Sequence, residues 1–183
     1  RIANEIEHLH DTYGGVFLWF ADDHMRLSSR GKELYEALRQ KPCKQDIMLF
    51  FQARIDDVAQ HPELMGKFRD VGTYWILCGV ETNSEEMLTE YKKGITTQDA
   101  YQAMQILKQK DIFSQAMFVI GGRKDTHESI EKLRQYSVDL APDIAIYTAL
   151  TPFPGTVYYE TAKKNGWIED ANYTNYDMAH AIM

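Results

Sequence analysis

The stretch Tyr74-Trp-Ile-Leu-Cys-Gly-Val80 runs directly into Glu81-Thr-Asn-Ser-Glu-Glu-Met-Leu-Thr-Glu-Tyr91. The first segment is apolar throughout and lacks the alternation of a half-exposed strand, so it predicts a strand covered on both faces. The second opens on an acid and has room for a short helix near Ser84–Tyr91. Buried strand, polar carboxyl end, helix: this is one βα unit. The same signature recurs outward, with further strands predicted at Val16–Ala21, Ile47–Ala53, Gln115–Ile120 and Ile144–Leu150. Between them come Ile2, Ile6 and Leu9; Leu34 and Leu38; Leu64 and Phe68; Ala100, Met104 and Leu107; and Ile130 and Leu133. Spacings of three and four give each helix an apolar stripe for one sheet face. Thr96 with Asp99, and Thr126, are placed to cap helices, while Gly14–Gly15 and Gly72 stand where helices should stop.

Strand starts at 16, 47, 74, 115 and 144 lie 31, 27, 41 and 29 residues apart, the lengths of βα units. Successive units of this kind imply parallel strands with right-handed crossovers. An α/β fold follows, either a (β/α) barrel or part of one, or a doubly wound open sheet. The polar residues decide between them. Asp22–Asp23 follow the first strand, Gln52, Arg54 and Asp56 the second, Glu81 the third, Gly121–Gly122 the fourth and Thr151–Pro152 the fifth. A barrel would gather all five segments at one mouth, whereas an open sheet would use only those beside its switch point. No G-x-G-x-x-G follows the first strand, where Ala21-Asp22-Asp23-His24 stands instead, so the barrel is favoured.

Composition narrows the function. The 183 residues carry 20 Lys+Arg against 27 Asp+Glu, a formal charge of −7, and are 44% apolar. Such a chain offers no continuous basic surface for nucleic acid and no polybasic segment for anionic lipid. Its apolar runs are far shorter than the roughly 20 residues of a membrane span. A soluble, cytoplasmic domain is expected, because two cysteines, Cys43 and Cys78, are too few for a disulfide scaffold. The first residue is Arg1 and neither end shifts in composition, which suggests a piece of a longer protein.

Each candidate at the mouth has a plain reading beside the functional one. Asp22 and Asp23 could hold a cation or a ligand ammonium, or could be a turn pair. Arg54, ending an apolar strand, must bind an anion or pair with Asp56 or Glu81. Glu81 either accepts ligand hydroxyls or closes an internal ion pair. Lys93 is a solvated helix end or reaches back over the mouth. Gly121–Gly122 admits a flat ligand edge, or simply turns. The prolines of Thr151-Pro-Phe-Pro-Gly-Thr156 stiffen a loop that could hold Phe153 at the rim for stacking. The six histidines show no ligand spacing.

In this order and spacing, the string Phe20-Ala-Asp-Asp23, Gln52-Ala-Arg-Ile-Asp56, Gly79-Val-Glu-Thr82, Lys92-Lys-Gly-Ile-Thr96, Phe118-Val-Ile-Gly-Gly122 and Thr151–Thr156 resembles the radical S-adenosylmethionine (SAM) superfamily. The resemblance covers essentially the whole chain and is to the subgroup that carries an N-terminal cobalamin-binding domain. The last part, with Tyr158-Tyr-Glu160 and Asn175-Tyr-Asp-Met-Ala-His180, looks most like the oxygen-independent cyclases that form the fifth ring of (bacterio)chlorophyll.

The resemblance implies a partial (β/α)6 TIM-like barrel, of which residues 1–183 supply strands two to six. The first strand, the three-cysteine loop that holds a 4Fe–4S cluster, and the cobalamin domain are expected upstream, so the piece alone should be inactive. It further implies that Asp22 or Asp23 takes the methionine ammonium of SAM, Gln52, Arg54 and Lys93 its carboxylate side, Glu81 the ribose, and Val119 to Gly121 the adenine. Where relatives often have Pro, this chain has Arg123. The implied chemistry is a 5′-deoxyadenosyl radical acting on a small-molecule substrate, such as a Mg-porphyrin, with ferredoxin or flavodoxin as electron donor. Tyr147, Phe153, Tyr158 and Tyr159 are candidates for the substrate-facing wall. Competing readings are a cobalamin-dependent radical SAM methyltransferase, a metal-assisted lyase using Asp22, Asp23 and Glu81, and a non-catalytic barrel binding module.

Overall fold

The computed structural model describes every residue except Asp23 and, of Ser29, the backbone alone. The expectation placed on Asp23 therefore lies outside the described residues. Five parallel strands, β1 (Phe17–Trp19), β2 (Met48–Ala53), β3 (Thr73–Glu81), β4 (Phe113–Ile120) and β5 (Ile144–Ala149), pair in strict chain order. A doubly wound sheet reverses its order at the switch point, and this one never does. The strands curl into a half-barrel with helices on the outside.

Six helices fall where the sequence places them, five on the apolar stripes and a short one in the room that the longer third unit leaves near Ser84–Tyr91. They are α1 (Ile2–Tyr13), α2 (Lys32–Leu38), α4 (Pro62–Asp70), α5 (Glu85–Glu90), α6 (Thr97–Gln109) and α7 (His127–Leu140). A further helix, α8 (Val157–Lys164), starts at Thr156, whose side chain accepts from the Tyr159 amide. Thr96 and Asp99 form a reciprocal capping box, as do Thr126 and Ser129. Gly14 ends α1 in the left-handed region (φ 64°). The helix α3 (Ile55–Gln60) had no sequence signal of its own: six residues are too few to show a period, and its N-terminus coincides with the polar end of β2.

Exposure along β3 separates the two sheet faces. Ile76, Cys78 and Val80 are no more than 1% exposed beneath the helices, whereas Trp75, Leu77, Gly79 and Glu81 line the concave side and are only partly covered. The helix side holds the core, in which Phe51 of β2 meets Phe68 of α4 edge-on at 5.6 Å between ring centres. The expectation of strands covered equally on both faces thus holds for the outer face alone.

On the concave side the amino-terminal half is aromatic. Trp19, Phe50, Trp75 and Phe113 form a row across four strands, with ring centres 5.3, 4.8 and 5.2 Å apart. At the far edge the tail returns to the sheet, where the Ala149 amide donates to the Met178 carbonyl at 2.7 Å and Ile182 is fully buried.

Candidate functional site

Three loops at the carboxyl ends of the strands meet through side chains. Register along β3 shifts between Gly79 and Glu81, and Glu81 takes a left-handed backbone (φ 70°). Its carboxylate folds back over Gly79, where a Cβ would come within 2.4 Å of Glu81 Oε1. Only a residue without a side chain leaves that space free. Lys93 follows α5 in a turn with left-handed Lys92 (φ 55°) and Gly94 (φ 64°), and its Nζ reaches Glu81 Oε1 at 2.6 Å. Arg54, the residue before α3, donates from Nη2 to the Lys93 carbonyl at 2.8 Å. It also grips Asp56 through Nε and Nη2, both at 2.9 Å. The Asp56 carboxylate holds the Arg54 guanidinium in its charged form, raising its pKa further.

The two plain readings made for these residues are thus geometrically satisfied: Arg54 pairs with Asp56, and Glu81 pairs with Lys93. The assembly still presents two cations and two carboxylates on one rim, with Arg54 and Lys93 side chains 42% and 40% exposed. Such a rim can meet a zwitterion by exchanging internal partners for ligand ones. Below it on the concave face, Gln52 is in register with Leu77, and Leu77 with Gln115. Val119 shares that face, beside Thr148. Gly121 (φ 81°) makes the turn out of β4, and the Gly122 amide donates to Asp125 at 2.8 Å.

Asp22 is placed elsewhere. It is exposed and lines a cleft of about 670 Å³ with His24, Arg26 and Arg30, between α1 and α2. The loop is tied to the top of β2 by the Met25 amide donating to Gln52 O at 2.8 Å.

The aromatic candidates also separate. Phe153 and Tyr158 line a cavity of about 790 Å³ together with Tyr91 and Trp167. Tyr147 does not: its ring stacks on Phe118 and its hydroxyl meets Ser137 of α7, so it belongs to the helix-covered face. Residues in register on neighbouring parallel strands share a face, and Tyr147 is paired with buried Phe118. Tyr159 is buried, its hydroxyl 3.0 Å from that of Tyr173.

Cys43 and Cys78 are both buried. Burial pushes the Cys78 thiol up to about 12, the reverse of what a metal-ligating thiolate needs. Among the described residues, no three His, Cys, Asp or Glu side chains come together as a metal site. An iron–sulfur cluster does not fit the residues of this chain. Sequence reasoning missed Gly79 as the cradle of Glu81, although a glycine two positions before a strand-terminal acid was a visible signal. It also missed Trp167, which nothing in the local pattern marks.

No family model matches the chain. It is 26% identical over 184 residues to the anaerobic magnesium-protoporphyrin IX monomethyl ester cyclase of Cereibacter sphaeroides, a match covering 100% of this chain and 30% of that protein. It is 27% identical over 183 residues to an uncharacterized methyltransferase of Pyrococcus horikoshii, covering 100% of this chain and 39% of the relative. The chain therefore spans well under half the length of either. Among solved structures, the radical SAM methyltransferase TsrM from Kitasatospora setae, with cobalamin and a 4Fe–4S cluster bound, superposes with a TM-score of 0.72. That match has 16% identity and covers 89% of this chain and 31% of TsrM. In sequence the chain is similar to the anaerobic cyclase along its whole length, and its five-stranded half-barrel has the fold of the part of TsrM that it superposes on.

Proposed function

We propose that the chain is the SAM-holding half-barrel of a radical SAM enzyme of the cobalamin-binding subgroup, and that the whole protein is an anaerobic Mg-protoporphyrin IX monomethyl ester cyclase. The observation that carries the SAM reading is the Glu81 carboxylate, held by Lys93 over Gly79 and next to Arg54, at the carboxyl end of a concave parallel sheet. In this reading Glu81 accepts the ribose hydroxyls, Lys93 and Arg54 face the methionine carboxylate with Gln52 below, and Val119 to Gly121 border the adenine. Asp22 is left out of the assignment because its side chain lines the α1–α2 cleft.

When bound, SAM and a reduced 4Fe–4S cluster supply a 5′-deoxyadenosyl radical, and cobalamin belongs to a separate domain. The cluster ligands lie outside this chain, since its two thiols are buried and burial raises both, that of Cys78 to about 12. What the half-barrel contributes is orientation of a zwitterionic nucleoside by fixed charges, and walls that keep water from it. The cyclase reading is favoured by the relative from Cereibacter sphaeroides, and a methyltransferase reading by the one from Pyrococcus horikoshii.

The test uses the whole protein, reconstituted anaerobically with iron and sulfide. Reductive release of 5′-deoxyadenosine from SAM is expected, and its absence together with no SAM binding would sink the proposal. Label from the SAM methyl group in the product would replace the cyclase reading with the methyltransferase one. Conversion of Mg-protoporphyrin monomethyl ester without label transfer would support the cyclase.

A further inference from the structure

The cavity of about 790 Å³ lies beyond the Glu81–Lys93–Arg54 rim, between the β4–α7 loop, α5 and α8. Phe153, Tyr158, Trp167 and Leu150 make its walls largely apolar. Its size suits a flat ring system larger than a single benzene or indole. The stiff Thr151–Thr156 loop holds Phe153 at 40% exposure on the wall of this cavity.

Two cations border this space, and they differ. Lys124 is already neutralised, its Nζ 2.8 Å from Glu86 and 3.0 Å from Glu90. Arg123 is not: among the described residues no carboxylate lies within ion-pair distance of it. Its guanidinium carbon instead sits 4.4 Å from the centre of the Trp167 ring. A guanidinium held over a ring face keeps N–H donors available away from the ring, and these can receive a carboxylate in bidentate fashion. In a chain of net charge −7, an anion needs a local positive anchor of this kind. The Tyr91 hydroxyl completes the lining near Gly122, and burial pushes it up to about 12, so it remains a neutral hydrogen-bond donor.

We infer that this cavity binds a planar, mostly apolar acid, with the ring system between Phe153, Tyr158 and Trp167 and an edge carboxylate on Arg123. The inference rests on the proposed function only for the further statement that the acid is the enzyme's substrate. Arg123 reads the charge, and Trp167 holds Arg123 in place.

The experiment measures binding of 1-pyrenebutyric acid and of 1-pyrenebutanol to the whole protein by fluorescence anisotropy, with SAM binding followed on the same preparation by equilibrium dialysis. A charge-assisted bidentate contact predicts about tenfold or more tighter binding of the acid. Arg123→Gln should remove that preference while leaving alcohol binding unchanged, and Arg123→Lys should restore it only in part. Equal binding of acid and alcohol, or a preference that survives Arg123→Gln, would overturn the inference. SAM affinity should be the same in all variants; in the unsubstituted protein, equal binding of acid and alcohol with SAM binding intact condemns this site alone, and absent SAM binding condemns the proposed function instead.

Discussion

The Lys93 ammonium lies 2.6 Å from the Glu81 carboxylate, joining the end of β3 to the turn after α5 across the mouth of the half-barrel. The two are twelve positions apart, and α5 is the spacer that makes the bridge possible. Arg54 then fastens the same turn to β2 through the Lys93 carbonyl. A rim assembled in this way is sensitive to small changes beneath it.

Gly79→Ala is the sharpest such change. The new Cβ would meet Glu81 Oε1 at 2.4 Å, and the flexible end of the glutamate is what yields. The fold should survive, with unaltered far-ultraviolet circular dichroism. SAM affinity of the whole protein, measured by equilibrium dialysis, should fall about tenfold, as for loss of one charge-assisted hydrogen bond. An unchanged affinity would detach Glu81 from the ligand.

Gly72→Ala should act on stability instead. Gly72 sits at φ 98°, and an added Cβ would come within 2.6 Å of the Ile47 carbonyl, a backbone atom that cannot swing aside. Its own carbonyl accepts the Leu49 amide at 2.7 Å, so displacement also disturbs the start of the β2–β3 pairing. A loss of about 3 kcal/mol is expected in urea unfolding.

Asp57 of α3 joins two distant segments. One carboxylate oxygen accepts the amide of fully buried Leu27 at 2.8 Å, and the other lies 3.2 Å from His61 Nδ1. Asp57→Ala strands the buried Leu27 N–H, at a cost of about 2 kcal/mol by chemical denaturation. Asp57→Asn keeps an acceptor and should cost less than the alanine.

Stability should decline at alkaline pH. The unfolded Cys78 thiol ionises near its ordinary value of 9.0, whereas in the folded protein burial raises it to about 12. Between these values the unfolded state binds fewer protons than the native one, so stability is lost as pH rises, with a limiting slope of about 1.4 kcal/mol per pH unit. Tyr91, raised from 10.0 to about 12, adds to the upper part of that range. Urea midpoints from pH 8 to 11 should show the decline, and Cys78→Ala should flatten its lower part.

The strand cores and most helices were legible because their signals are local. Tyr74–Val80 is a continuous apolar run, and Thr96 with Asp99 is a capping pair readable from four residues. Pairings across loops were legible as sets of options: Asp56 and Glu81 were both candidate partners for Arg54, and only coordinates choose Asp56. Side-chain direction was not legible where exposure hides the period. Tyr147 lies in an edge strand whose residues are all at least partly exposed, so its sequence neighbourhood cannot say which face it takes. Asp22 follows a strand of only three residues, too short to fix the heading of the loop beyond it.

The Met178 carbonyl, brought against the Ala149 amide by a left-handed residue at φ 64°, occupies a position that a sixth strand would otherwise use. Growth of the sheet on that side would require lifting a tail anchored by Ile182. The other edge of the sheet is β1, which pairs with β2. The β5 flank is thereby stoppered at its carboxyl end against the stray edge pairing that leads to aggregates.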